Sequence, residues 1–97
     1  MSDIIFEWDE RKAHQNEQKH RISLEEAQTA FDDENARLSH DPDHSQDEDR
    51  YILLGMSAVL RILVVCHVYR QNDEVMRIIS ARRATKQEQK QYHRFLR

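Results

Sequence analysis

The run RILVVCHVY, residues 61–69, is apolar at positions that alternate to both sides of an extended chain. A strand with one wet face alternates apolar and polar residues, whereas this run has to be covered on both faces. It therefore predicts the middle strand of a sheet. Two more β-like runs flank it, RYILLGMS at 50–57 and EVMRIISA at 74–81. Their connections are short, as antiparallel hairpins require.

The remaining segments fit around that sheet. DIIFEW, Asp3 to Trp8, is short, apolar and β-prone, and predicts a strand. Asp9 stands as an N-cap before the helix formers of 10–20. Ser23 with Glu26 makes a capping box, and Leu24, Ala27 and Phe31 recur at helical spacing, so a second helix is expected over 24–32. A brief strand at 36–39 precedes an acidic loop. Thr85 with Glu88 makes another capping box, opening a helix from 86 to about 96. With 97 residues the chain suits one domain, 1–97. The order predicts an α+β fold: an antiparallel sheet of four or five strands, two N-terminal helices and one C-terminal helix.

Alternation places Leu63, Val65, His67 and Tyr69 on one face of the middle strand. With a hairpin centred on Asn72, His67 would lie opposite Arg77 and Val65 opposite Ile79. A histidine beside a fixed cation favours the neutral imidazole that a general base needs. The same pattern also suits a half-buried histidine bonded to backbone. The pairing depends on register, which a one-residue slip would undo.

Two other places bring proton-transfer or cationic groups together. Lys19 and His20 end the first helix, where the helix dipole favours cations, which is the plainer reading; the functional one is an acid/base histidine next to a phosphate-binding ammonium. Arg82 and Arg83 stand where the last strand hands over to the last helix. A helix N-terminus attracts anions and a guanidinium binds phosphate through two bonds, so this junction is a candidate phosphate site. The plainer reading is a salt bridge to the acidic half or a partner's acidic segment.

The acidic stretch DPDHSQDED starts like a calcium loop but carries Gln46 where the sharp turn needs Gly and Ile52 where the bidentate Glu belongs. No metal site and no cofactor are expected. An acidic, mobile loop is the better reading, with a negative flap near a basic site as the second. With one Gly and no Walker, GxGxxG or GxSxG motif, any phosphate chemistry rests on side chains. Cys66, the lone cysteine, reads as a small buried hydrophobe in a reducing compartment. No signal peptide or long apolar run is evident, which predicts a cytoplasmic protein with no membrane contact.

Charge is uneven. Residues 1–60 carry 6 Lys/Arg against 15 Asp/Glu, and residues 61–97 carry 9 against 3. On a chain whose net charge is −3, the split fits two faces, one of them basic, and equally fits opposite halves that fold onto each other and neutralise.

FEWDERKAHQNEQKHRISLEEAQTAF, DEDRYILLGMS and RIISARRATKQEQKQYH together resemble the BrnT toxins of BrnT/BrnA type II toxin–antitoxin systems, over nearly the whole chain. The resemblance implies a RelE-like fold and a small bacterial ribonuclease that inhibits translation and growth. It implies neutralisation by a BrnA-like antitoxin, whose DNA-binding domain lets the complex act on its operator, so that operator DNA is met only through the antitoxin. RelE-like cleavage of RNA is metal-independent: a base takes the ribose 2′-OH proton, cations stabilise the phosphorane, and an acid protonates the leaving 5′-oxygen. Carried over by motif, Lys19 and His20 match the family's K-H, Arg82 and Arg83 its S-A-R-R, and Arg50 its strand arginine. The implied catalytic set is Lys19, His20, Arg50, Arg82 and Arg83. His67 and Arg77 join it through the inferred pair alone, with His20 or His67 as base or acid. Lys86 and Lys90, with Arg82 and Arg83, form the expected RNA-binding surface. The alternative is a non-catalytic toxin-like scaffold that binds an antitoxin and modulates its DNA binding. Catalysis needs a His or Lys within one water of the phosphate held by the arginines, and a scaffold does not.

Overall fold

The computed structural model describes residues 4–46, 48–94 and 96. Strand β1 (Ile5–Glu7) leads into helix α1 (Glu10–His20), capped by the Asp9 carboxylate, which accepts from the Arg11 and Lys12 N–H groups. Helix α2 (Leu24–Thr29) is capped by Ser23 and tightens into a 3₁₀ turn over Ala30–Asp32. Strand β2 (Arg37–Asp41) and a 3₁₀ turn at Pro42–His44 come next. Three longer strands follow, β3 (Arg50–Met56), β4 (Ile62–Arg70) and β5 (Val75–Arg83). Helix α3 (Lys86–Arg94) closes the described chain. Asp3 and the Phe95 end of the expected last helix lie outside the described residues, and no helix among those described is long and apolar enough to cross a membrane.

The sheet order is β1-β5-β4-β3-β2. Strands β2 to β5 form an antiparallel meander, with β4 in the middle as its two-sided apolar pattern requires. The expectation of a wholly antiparallel sheet is corrected at one edge: β1 runs parallel to β5, with Ile5 opposite Val75 and Glu7 opposite Arg77. A hairpin forces antiparallel pairing, but β1 reaches β5 by the long route through the helices and is free of that constraint.

One face of the sheet carries the core. Leu53, Leu63, Val65, Ile78 and Ala81 pack there against Ile22, Leu24, Ala27 and Ala30 of the helical layer. Gly55 lets the layers close: a Cβ on it would stand 3.0 Å from both the Ala30 carbonyl oxygen and the Ala36 Cβ. Tyr92 of α3 is buried, and its hydroxyl donates to Asp33 Oδ2 at 2.6 Å. The same oxygen accepts the Met56 N–H, so one carboxylate ties the last helix to the end of β3.

The expected pairing of His67 with Arg77 does not form. Gln71, Asn72 and Asp73 all take positive φ, which moves the centre of the β4–β5 turn, and a bulge follows at Cys66/His67. His67 therefore faces Ile78, Arg77 faces Val68, and Val65 faces Ala81 rather than Ile79. Strand β5 also runs past residue 81 to Arg83, because Leu63 pairs with Arg83 and the Ala84 N–H bonds to Ile62 O at 2.9 Å.

A candidate RNA-cleaving cleft

The face of the sheet opposite the core holds the candidate site. Cross-strand pairs Val64–Arg82, Cys66–Ser80 and Ile52–Cys66 put these side chains on one surface. A cleft of about 280 Å³ opens over them, lined also by His20, Asp41, His44 and Arg50. A neighbouring groove of about 350 Å³ shares Ile52, Val64 and Arg82 and runs on to Arg37, Glu88 and Gln91. Three sequence-predicted residues, His20, Arg50 and Arg82, thus meet in one concavity. A more open hollow of about 550 Å³ on the exposed side of α1 is lined by His14, Glu17, Gln18 and Arg21 and contains none of them.

Asn16 places His20 there. Its Nδ2 donates to Ala81 O at 2.8 Å and to Ile22 O at 2.9 Å, and its Oδ1 accepts the Ala81 N–H at 3.0 Å. His20 lies one turn further along α1, so anchoring Asn16 to Ala81 sets His20 beside Arg82. Lys19, one residue round the helix, is exposed and does not line the cleft.

The two arginines of the strand–helix junction separate. Both belong to β5, and successive strand residues point to opposite faces. Arg82 enters the cleft, whereas Arg83 pairs with Leu63 on the helical side and feels the charge of Glu26. Glu26 itself is bound by Arg61 and Ser57. The expectation that both arginines share one site is therefore corrected: Arg82 lines the cleft and Arg83 does not. Arg77 lies near the other end of β5, in an ion pair with Glu7 at 2.9 Å. Lys86 and Lys90 are exposed one turn apart on α3.

His67 is removed from the cleft altogether. It is fully buried on the core face, ringed by Phe31, Tyr51 and Tyr69. Burial lowers its proton affinity, with the bond between Nδ1 and Val65 O opposing. Its Nε2 has no hydrogen-bond partner among the described residues. A ring with no path to solvent cannot exchange protons with a substrate, so the cross-strand acid–base pair is not supported.

Arg82 is held by Glu88 through two bonds, Nη1 to Oε1 at 2.8 Å and Nη2 to Oε2 at 3.0 Å. The Thr85 N–H also donates to Glu88 Oε1 at 2.8 Å, completing the predicted capping box. The Arg82 bonds, then the Thr85 bond, outweigh burial and hold the Glu88 carboxyl down at about 2. Cys66 is half-buried in the cleft floor, and burial pushes its thiol up against the opposing effect of Arg50. On the far wall, His44 Nδ1 stands 2.9 Å from Asp41 Oδ2.

Sequence reasoning reached the acidic flap but not His44 as a cleft residue, because the turn at Pro42 is what delivers it. Asn16 and Glu88 were also missed as site-builders, although both lie in the quoted motifs. The available signal was Asn16 on an otherwise poorly apolar helix, in register with His20.

A family model described as "Ribonuclease toxin, BrnT, of type II toxin-antitoxin system" matches residues 8–88. The crystal structure of the Brucella abortus ribonuclease toxin BrnT, determined at 1.1 Å, superposes with a TM-score of 0.63 at 24% identity. The alignment covers 89% of this chain and 100% of that one. No curated protein matches. The chain belongs to the BrnT family of ribonuclease toxins of type II toxin–antitoxin systems.

Proposed function

We propose that this chain is an endoribonuclease that cleaves RNA in the cleft between His20, Arg50 and Arg82, without a metal ion. The supporting observation is the convergence of a solvent-reaching histidine and two arginines on one sheet face, built from separate parts of the chain. In this reading Arg82 and Arg50 flank the scissile phosphate and stabilise the charge that develops on it. A histidine removes the 2′-OH proton, the 2′-oxygen attacks phosphorus, and a second group gives a proton to the departing 5′-oxygen. The products are a 2′,3′-cyclic phosphate and a 5′-hydroxyl end. With His67 buried, the cleft offers two histidines for these roles, His20 and His44. Asp41 sits at Nδ1 of His44 and leaves Nε2 for the substrate.

Lys86 and Lys90 extend the positive surface along α3 and serve the flanking phosphates. The antitoxin partner implied by family membership is, in this reading, a BrnA-type protein that covers the basic cleft and itself contacts operator DNA. Inducing the chain alone in bacteria tests the reading. Growth arrest with early RNA breakdown, relieved by Arg82→Ala and by His20→Ala in folded protein, is expected. Normal growth and intact RNA from soluble wild-type chain would instead mark a binding scaffold.

A further inference from the structure

Glu88 grips Arg82 by the outer edge of the guanidinium, taking one hydrogen from each Nη. A guanidinium has a second two-donor edge, formed by Nε–H and the remaining Nη2 hydrogen. No group among the described residues accepts from Nε, the Arg82 side chain is 42% exposed, and Nε is not among the buried atoms left without a partner, so this edge is not sealed from solvent. Arg82 lines both connecting parts of the cleft.

Glu88 is itself fixed. The Thr85 N–H holds its Oε1, and its own N–H is bonded to Thr85 Oγ1 at 3.2 Å. The carboxylate is therefore mounted on the first turn of α3. An arginine on a strand end ordinarily samples several rotamers, whereas this one is held against an anchored partner. Had Glu88 merely masked Arg82, it would leave no two-donor edge for a phosphate, yet one remains open.

We propose that Glu88 is a positioning residue, which holds Arg82 by one guanidinium edge and so aims the other, Nε–H with Nη2–H, at the phosphate of bound RNA. This rests on the ribonuclease reading of the cleft. It adds a reason for an acidic residue in a site that must bind an anion: the carboxylate sets direction and the guanidinium still presents two donors.

The test is Glu88→Gln, which keeps side-chain length and an acceptor for Thr85 but loses the paired charge. With a short RNA, kcat should fall about 10- to 100-fold while KM changes less than about 3-fold, because a misaimed cation costs most in the transition state. In an Arg82→Ala background the same change should have no further effect. Unchanged or faster cleavage by Glu88→Gln, or an equal loss in both backgrounds, would overturn the proposal. A second measurement separates it from the parent reading: inorganic phosphate titrated against the Arg82 Nε–H resonance in wild-type and Glu88→Gln chains. Should the wild-type chain cut no RNA, the ribonuclease reading fails, and this titration alone decides. A phosphate-dependent shift in wild type that weakens several-fold in Glu88→Gln supports the positioning role. No shift, or equal affinity in both, refutes it.

Discussion

Asn16 meets Ala81 as a neighbouring strand would. Its side-chain amide accepts from the Ala81 N–H at 3.0 Å and donates to the Ala81 carbonyl at 2.8 Å. Strand β1 pairs with β5 only as far as Glu7 opposite Arg77, so the edge of β5 beyond it needs another partner. Asn16 supplies one from a helix, and Ala81 is the residue before Arg82. The bond that satisfies the sheet edge also fixes the cleft.

Asn16→Ala should therefore lower both stability and cleavage. Ala81 would keep a buried N–H and carbonyl without their partner, at a cost of about 2–4 kcal/mol. Urea unfolding checks the stability, and cleavage rates at denaturant-free conditions check the displacement of His20 from Arg82. A variant with wild-type stability would show that the edge is satisfied another way.

Gly55→Ala should destabilise by about 1–3 kcal/mol without touching the cleft, since the new Cβ overpacks a closed layer contact. The obstruction is the Ala30 carbonyl oxygen and the Ala36 Cβ, each at 3.0 Å. Thermal unfolding reads it, and cleavage by the folded fraction should be normal.

His67 predicts a pH dependence of stability. Burial lowers its proton affinity in the folded chain, while the unfolded chain takes up the proton near the ordinary value of about 6.5. Below that pH the unfolded state binds more protons, so stability is full above it and falls as pH falls, by at most about 1.4 kcal/mol per unit for this group. Glu88 acts in a lower window: its folded value of about 2 lies below the ordinary 4.5, so its contribution is present above 4.5 and lost as pH falls towards 2. Unfolding free energies from pH 8 to 5 for wild type and His67→Phe check the first claim. The aromatic variant, seated among Phe31, Tyr51 and Tyr69, should lose that part of the slope.

His20→Ala should slow cleavage by about 10²- to 10⁴-fold, the usual worth of a positioned acid or base. His44→Ala should cost a similar factor, because the two histidines divide the proton transfers. Single-turnover rates of both folded variants check this. Cleavage by His44→Ala at the wild-type rate would remove His44 from the chemistry.

Much of this fold can be read from the sequence. The two-sided apolar pattern at 61–69 marks the central strand, and the Asp9, Ser23 and Thr85 caps mark where the helices begin. What could not be read is register. Three left-handed residues at 71–73 and one bulge change the partner of every β5 residue, and neither has a Gly or Pro to announce it. Strand length was the second obstacle. Because β5 continues to Arg83, two adjacent arginines that looked like one site face opposite ways. His20 and Arg82 stood out as candidates by their places at a helix end and a strand–helix junction, and Arg50 through the family resemblance alone, but the contacts that bring them to one cleft, Asn16 with Ala81 and Glu88 with Arg82, are tertiary and leave only weak marks in the chain.

The most direct measurement of the central claim compares purified wild-type, Arg82→Ala and Arg83→Ala chains on one short RNA, with product ends identified by mass. The account predicts cleavage to cyclic-phosphate ends, a loss of about 10²-fold or more in Arg82→Ala, and a rate within about 5-fold of wild type in Arg83→Ala. Equal losses in the two variants, or no cleavage by folded wild-type chain, would contradict it.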